Sequence, residues 1–185
     1  MKNKILALTL FATICSTIAF SQNIYLTKNA KVSFFSKSPL ENIEAVNSEV
    51  TSFLDISKGE FAFVSLIKSF KFKKALMEEH FNENYMESNK IPKANFKGAI
   101  EDISKVNFTK DGTYTVSVKG DLTVHGVTKS VITPATIKIS GKTISASSKF
   151  SVRVKDYGIK VPAMYVNNIA EVVEVTVDAK FEPRK

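Results

Sequence analysis

Apolar and polar residues alternate along the second half of the chain. Between residues 114 and 124 the even positions are Tyr, Val, Val, Gly, Leu and Val, whereas the odd positions are polar or charged. Residues 144–154 and 173–181 repeat this pattern. Because successive side chains of a strand point to opposite faces, each segment predicts a β-strand with one buried and one solvated face, as in antiparallel sheets.

The first half of the chain is less regular, but it also predicts strands. Four segments are strand candidates, at residues 31–36, 50–56, 60–72 and 95–103. Within residues 60–72 the apolar side chains shift from odd positions, up to Phe63, to even positions, from Leu66 onward. A β-bulge accounts for such a shift. A DG pair at 111–112 and an SGK sequence at 140–142 fall beside alternating segments and predict hairpin turns.

One segment has helical rather than strand spacing. Within residues 73–88 the pattern follows one side of a helix at Leu76, Met77, His80, Phe81, Asn84 and Tyr85. Ile91-Pro92 then ends the helix, because the residue before a proline avoids the helical conformation. Eight or so strands and one helix in one domain predict a closed barrel or a sandwich, and a closed barrel leaves no exposed edge strand.

The N-terminus has the pattern of a secretory signal peptide. Met1-Lys2-Asn3-Lys4 is positively charged, and residues 5–20 carry no charge. Small residues at Ala19 and Ser21 provide a cleavage site. We therefore predict a signal peptide at residues 1–21, an exported domain at 22–185, and a periplasmic or secreted location. A membrane anchor is the alternative, although the run is shorter than the roughly 20 apolar residues that a spanning helix needs.

The charge of the chain adds little about its partners. The formal net charge is +8, but the lysines are scattered, and most phenylalanines lie on the apolar side of alternating segments, where they cannot stack on bases. We expect a basic, well-solvated surface and no nucleic-acid partner. We also expect no stable membrane span once the signal peptide has been cleaved.

Candidate catalytic and metal-binding groups are few. The chain has two histidines and one cysteine, and Cys15 lies inside the predicted signal peptide. Glu79, His80 and Glu83 lie close together on the predicted helix, where a shared metal ion is one interpretation and a solvated charged face is the other. We predict no catalytic residue, no metal and no cofactor other than a bound isoprenoid lipid.

Four stretches of the chain carry a resemblance to a known family. The sequence LTVHGVTK at 122–129 resembles the signature of the YceI-like family of exported bacterial proteins. The stretches MEEHFNENYMESNKIP at 77–92, ANFKG at 94–98 and DYGI at 156–159 are similar to family segments in the same order. Two positions depart from the family pattern: Ser130 replaces a frequent proline, and residues 31–36 lack a frequent histidine.

The resemblance implies a fold, an activity and a binding site. The implied fold is all-β with a minor helix: a lipocalin-like, eight-stranded antiparallel β-barrel. The implied activity is non-enzymatic binding and carriage of a polyisoprenoid, or of a similar long-chain amphiphilic lipid, inside this barrel in the cell envelope. On this hypothesis we expect the wall of the binding site to include Phe34, Phe53, Phe61, Phe63, Phe72, Phe96, Leu122, Val124, Phe150 and Val152.

A separate structural prediction concerns the LTVHGVTK motif. Its residues His125, Gly126, Thr128 and Lys129 follow the strand with the clearest alternation. Because the odd positions of this strand are polar, the alternation places the His125 side chain on the polar face. We predict that His125-Gly126 forms a turn in which the imidazole bonds to backbone groups.

Two other functions remain open from the sequence. The first is an exported structural or interaction module, whose barrel is filled by its own side chains, since most of the fourteen phenylalanines lie in the exported domain and can fill a small barrel. The second is an enzyme on the same barrel, which requires His125 to face a pocket beside a carboxylate.

Overall fold

A computed structural model describes residues 23–184. The predicted signal peptide at 1–21 lies outside these residues. The main elements, in chain order, are β1 (Ile24–Lys37), β2 (Asn42–Asp55), β3 (Glu60–Leu66), β4 (Lys71–Phe72), α1 (Ala75–His80), β5 (Lys93–Ile100), β6 (Gly112–Val124), β7 (Val127–Ser140), β8 (Thr143–Arg153) and β9 (Val172–Pro183).

The strands form one antiparallel sheet that closes on itself. The order is β1-β9-β8-β7-β6-β5-β3-β2, and β2 pairs again with β1. The two-residue β4 pairs with the first part of β2, beyond the point where β3 stops. The predicted eight-stranded antiparallel barrel is therefore confirmed. Within residues 23–184, no helix is long and apolar enough to cross a membrane.

Some local predictions were wrong. Residues 60–72 do not form one bulged strand: a 3-10 turn at Ile67–Ser69 separates β3 from β4. The amide of Asn47 spans the gap by donating to Ser65 Oγ and to the carbonyl of Leu66. The DG pair at 111–112 ends a long connection from β5 rather than forming a hairpin turn, whereas residues 141–142 form the predicted turn between β7 and β8.

The two halves of the barrel are covered by different segments. The packed half contains the ends of β2, β5, β7 and β9, and it is filled by a core that includes Leu54, Ile137, Ile144 and Phe181. The open half is where β1, β3, β6 and β8 end. It is covered by residues 67–92, which contain α1, and by the connection at 154–171 between β8 and β9.

Candidate functional site

The open half of the barrel encloses a cavity of about 400 Å³. Its wall is mainly apolar and its base rests on residues of the packed half, among them Val50, Phe61, Val118 and Ala135. A volume of this size lies within the range of small-molecule pockets, about 300–1,000 Å³. The barrel is thus filled by its own side chains in one half only.

Nine of the ten predicted wall residues line this cavity. They are Phe34, Phe61, Phe63, Phe72, Phe96, Leu122, Val124, Phe150 and Val152. Strand alternation accounts for the eight that lie on the long strands, whereas Phe72 lies on β4, beyond the 3-10 turn at Ile67–Ser69. Contact between these side chains and a ligand stays a prediction.

Phe53 is placed differently from the prediction. Its side chain lies on the outer face of β2 and is 38% exposed, while its neighbours Ser52 and Leu54 are fully buried. The prediction failed because Phe53 and Leu54 are both apolar, so the alternation does not show which of the two side chains faces inward. The fully buried Leu54 identifies the inward face.

Several cavity residues were missed by the sequence reasoning. Many of them lie in the two segments that cover the open half, where no period-two pattern exists, and they include Phe70, Met77, Phe81, Tyr85, Val154, Ile159, Val161, Tyr165 and Ile169. The helical spacing of residues 73–88 was a signal for Met77, Phe81 and Tyr85. No comparable pattern marks the residues of the 154–171 connection.

Aromatic rings pack together at the mouth of the cavity. At the mouth, Phe81 lies 5.0 Å from Phe72 and 5.5 Å from Phe34, measured between ring centroids. Phe81 begins a π-helical turn, Phe81–Tyr85, which directly follows α1. The predicted helix is therefore shorter than residues 73–88, and its last turn places an aromatic ring over the barrel.

A pair of glycines makes room for Phe96 at the cavity wall. Gly98 of β5 lies opposite Gly120 of β6, and the ring of Phe96 covers both. A Cβ atom built on Gly120 would lie 2.5 Å from the carbonyl oxygen of Lys97 and 2.7 Å from Phe96 Cζ. The absence of side chains at this pair therefore allows the ring to lie flat against the wall.

The LTVHGVTK motif forms the turn between β6 and β7, as predicted. His125 and Gly126 have positive φ angles of 50° and 76°, which is the requirement for a tight type I′ hairpin. Thr128 Oγ1 lies 2.8 Å from Thr123 Oγ1 across the hairpin, and Lys129 is exposed opposite Leu122.

The His125 ring lies inside the fold rather than on the polar face. Its side chain is only 13% exposed. The Nδ1 atom lies 3.3 Å from the backbone oxygen of Tyr157, in agreement with the predicted backbone bond. The Nε2 atom lies 3.4 Å from Glu87 Oε2, within ion-pair distance but without hydrogen-bond geometry. His125 is therefore beside a carboxylate but does not line the cavity.

These contacts bring together three of the stretches that carry the family resemblance. Glu87 comes from residues 77–92, His125 from 122–129 and Tyr157 from 156–159. A hydrogen bond from Lys90 Nζ, 2.7 Å long, is the main cause that lowers the pKa of Glu87, and the nearby imidazole of His125 adds to it. Burial raises the pKa of the Tyr157 hydroxyl.

The mouth of the cavity also has a polar side. Four polar residues from the covering segments line it, His80, Tyr85, Tyr165 and Asn168, together with Glu41 from the connection between β1 and β2. Burial, and secondarily the neighbouring Tyr165, raises the pKa of the Tyr85 hydroxyl. Among the residues from 23 to 184, no group of three or more His, Cys, Asp or Glu side chains is placed to hold a metal ion.

Comparison with solved structures finds the same fold in distant relatives. A polyisoprenoid binding domain from Saccharophagus degradans, implicated in plant cell wall breakdown, is 14% identical, with a TM-score of 0.75 over 88% of this chain and 99% of that chain. BcnA of Burkholderia cenocepacia is 18% identical, with a TM-score of 0.67 over 82% of this chain and 95% of that chain.

A third solved structure agrees. The YCEI protein of Campylobacter jejuni is 13% identical, with a TM-score of 0.62 over 80% of this chain and 90% of that chain. No curated protein matches the chain. The model of the YceI-like domain matches residues 24–181, which include the whole barrel wall apart from the last two residues of β9. The chain therefore belongs to the YceI-like family.

Proposed function

We propose that this protein binds and carries a polyisoprenoid, or a similar long-chain amphiphilic lipid, in the open half of its barrel, without catalysing a reaction. The observation that carries the proposal is the cavity of about 400 Å³ with its mainly apolar wall. Burial of apolar surface stabilises a complex by about 25 cal/mol per Å². A hydrocarbon chain therefore gains affinity from such a wall without specific polar contacts.

Two further observations support the proposal. A structural relative, the S. degradans domain, is described as polyisoprenoid binding, and the cavity offers an apolar chain a place in the same fold. In addition, the signal-peptide pattern at residues 1–21 supports export, so we propose the cell envelope as the place where the lipid is bound.

The test is native mass spectrometry of the protein purified from its own host, followed by organic extraction. We expect a discrete bound mass that extracts as an isoprenoid or a similar lipid. A clean ligand-free mass, with no uptake of added isoprenoids, would contradict the proposal. That result would favour an exported interaction module.

A matched pair of variants on β9 locates the lipid. Val175 lines the cavity, whereas Val172 of the same strand is 45% exposed and does not. We expect Val175→Trp to lose the bound mass because the indole fills the cavity, and Val172→Trp to retain it. Equal retention by the two folded variants would place the lipid outside the barrel.

A further inference from the structure

Four exposed apolar side chains lie at the open end of the barrel. Leu40, Leu76, Met164 and Val166 are each at least 55% exposed, and we call these four residues the apolar rim. Leu40 lies between β1 and β2, Leu76 lies in α1, and the other two lie in the 154–171 connection. Three segments that are far apart in the sequence therefore expose apolar side chains at the same end of the barrel.

The apolar rim adjoins the mouth of the cavity. Each of its members is next in sequence to a lining residue: Leu40 precedes Glu41, Leu76 precedes Met77, and Met164 and Val166 flank Tyr165. The amide of Leu40 donates to the carbonyl of Asn167 over 3.2 Å, and Lys74 Nζ lies 2.7 Å from Glu41 Oε1. These contacts join the three segments, so the rim surrounds one opening.

The opposite end of the barrel has no such surface. Its connections, at 56–59, 101–111 and 141–142, expose no large apolar side chain. Val106 and Phe108 are instead packed against the core. Single exposed apolar residues are common, but a cluster of them marks an interaction surface. The apolar rim is therefore a contact surface that belongs to the end where the cavity opens.

The charges beside the apolar rim are arranged with the positive groups outermost. Three lysines precede α1 and form ion pairs with carboxylates, namely Lys71 with Glu78, Lys73 with Glu44 and Lys74 with Glu41. The lysine side chains are 67–85% exposed, whereas their partners are 26–50% exposed. Lys37 and Lys160 are exposed on the other two sides of the rim. A partner that meets the rim therefore meets lysine ammonium groups first.

This combination fits the interface of a lipid bilayer. Apolar side chains that enter the head-group region, with lysines at its polar boundary, are typical of proteins that lie on a membrane. Anionic lipids attract such lysines. Glu79 and Glu83 are also exposed beside α1, so the apolar contact supplies most of the affinity. A second copy of the chain fits less well, because a symmetric contact places the same lysines opposite each other.

We propose that the apolar rim docks this protein on an anionic lipid bilayer, with the mouth of the cavity facing the membrane. The rim side chains enter the head-group region, and the surrounding lysines contact lipid phosphates. The inference rests on the proposed function, because a lipid that enters the cavity through a docked mouth does not cross water. It adds the partner surface and the orientation in which the lipid is exchanged.

The test is co-flotation of the protein, purified from its own host, with vesicles of phosphatidylethanolamine and phosphatidylglycerol. We expect the protein to float with the vesicles, and Leu76→Glu to lower its partition about tenfold, because a carboxylate then enters the interface. Ile132→Glu is the matched control. Ile132 is 62% exposed, as Leu76 is 60%, but it lies on the outer face of β7, since its neighbour Val131 lines the cavity. An equal loss in the two folded variants, or no loss in Leu76→Glu, would overturn the inference.

A pair of lysine variants tests the orientation. Lys160 lies between the lining residues Ile159 and Val161, whereas Lys142 lies in the turn between β7 and β8 at the packed half. Both Lys160→Gln and Lys142→Gln lower the net charge by one. We expect Lys160→Gln alone to weaken flotation, by about two- to fivefold, because a lysine acts on an anionic surface only at short range. Equal weakening by both variants would mean that net charge drives binding, against a docked mouth.

Native mass spectrometry with added isoprenoids separates failure of this inference from failure of the proposed function. The vesicles contain no isoprenoid, so flotation reports docking alone. Leu76 does not line the cavity, so we expect Leu76→Glu to retain isoprenoid uptake. Uptake without flotation of the unsubstituted protein would overturn the inference and leave the proposed function standing. A dimer that Leu76→Glu dissociates, without flotation, would assign the rim to a second copy and also overturn the inference. Flotation without uptake would support docking and contradict the proposed function.

Discussion

The two halves of the barrel share one alternating pattern but differ in how completely the inward side chains fill the interior. In the packed half, Leu54, Ile137, Ile144 and Phe181 fill the interior almost completely. In the open half, a cavity remains between inward side chains that combine phenylalanines, such as Phe63, Phe96 and Phe150, with valines, among them Val124, Val131, Val152, Val173, Val175 and Val177. The interior of an eight-stranded barrel is just wide enough for side chains to fill or for one small ligand, and in this barrel side chains fill one half and leave a cavity in the other.

The covering segments reinforce this difference. The connection at 101–111 places Val106 and Phe108 against the core of the packed half. Over the open half, residues of α1 and of the 154–171 connection instead line the cavity. The packed core and the cavity therefore lie at opposite ends of one sheet. We expect a substitution in the packed half to affect mainly stability, and one in the open half to affect mainly ligand binding.

The largest expected effect compares a phenylalanine from each half. We expect Phe181→Ala to lower the free energy of unfolding by about 3–5 kcal/mol, the usual cost of removing a buried phenylalanine. We expect Phe150→Ala to cost about 1–2 kcal/mol, because a side chain beside a void has fewer contacts to lose. Urea denaturation measures both. Equal costs would mean that the two halves are packed alike.

An intermediate effect is expected at the glycine pair that makes room for Phe96 in the cavity wall. Gly120→Ala places a methyl group against Lys97 and the Phe96 ring. We expect overpacking to lower the free energy of unfolding by about 1–3 kcal/mol. We also expect weaker binding of farnesol, a fifteen-carbon isoprenoid alcohol, because the Phe96 ring is pushed into the cavity. Gly141→Ala is a control for the loss of a glycine, because nothing lies within 4 Å of its added Cβ, although its positive φ adds its own cost. Unchanged farnesol affinity in folded Gly120→Ala would contradict the displacement of Phe96.

The barrel and most of its wall were predictable, because strand alternation identifies inward positions one residue at a time. The alternation failed at Phe53, because Phe53 and Leu54 are both apolar. It also failed between β3 and β4, where a 3-10 turn at Ile67–Ser69, rather than a β-bulge, shifts the apolar positions from odd to even numbers. In both cases the local pattern allows two arrangements, and only pairing with neighbouring strands selects one of them.

The mouth of the cavity was less predictable for a different reason. Glu41, Tyr85 and Tyr165 come from three connections that are far apart in the sequence, and the closed barrel brings them to one cavity. The family motif predicted the turn at His125-Gly126, but not that the ring would be buried between Glu87 and Tyr157. Such contacts depend on the fold as a whole and leave no periodic signal.

The smallest expected effect concerns pH and the segment that covers the open half. Lys90 and His125 lower the pKa of Glu87 in the folded protein. The carboxylate therefore stabilises the fold above the ordinary glutamate pKa, and this contribution is lost as the pH falls through the lowered value. The amides of Lys90 and Ile91 donate to the Glu87 carbonyl, so their hydrogen-exchange protection reports this segment.

We expect Glu87→Gln to reduce this protection about two- to fivefold at neutral pH, as for an exposed ion pair, and the difference from the unsubstituted protein to disappear in acid. Amides of β9 near Phe181 serve as the internal control, because apolar packing holds them and Glu87 does not contact them. A difference that persists at low pH would mean that Glu87 acts through its shape rather than its charge. A change at β9 of the same size would mean that the two halves open together, against the separation of a packed half from an open one.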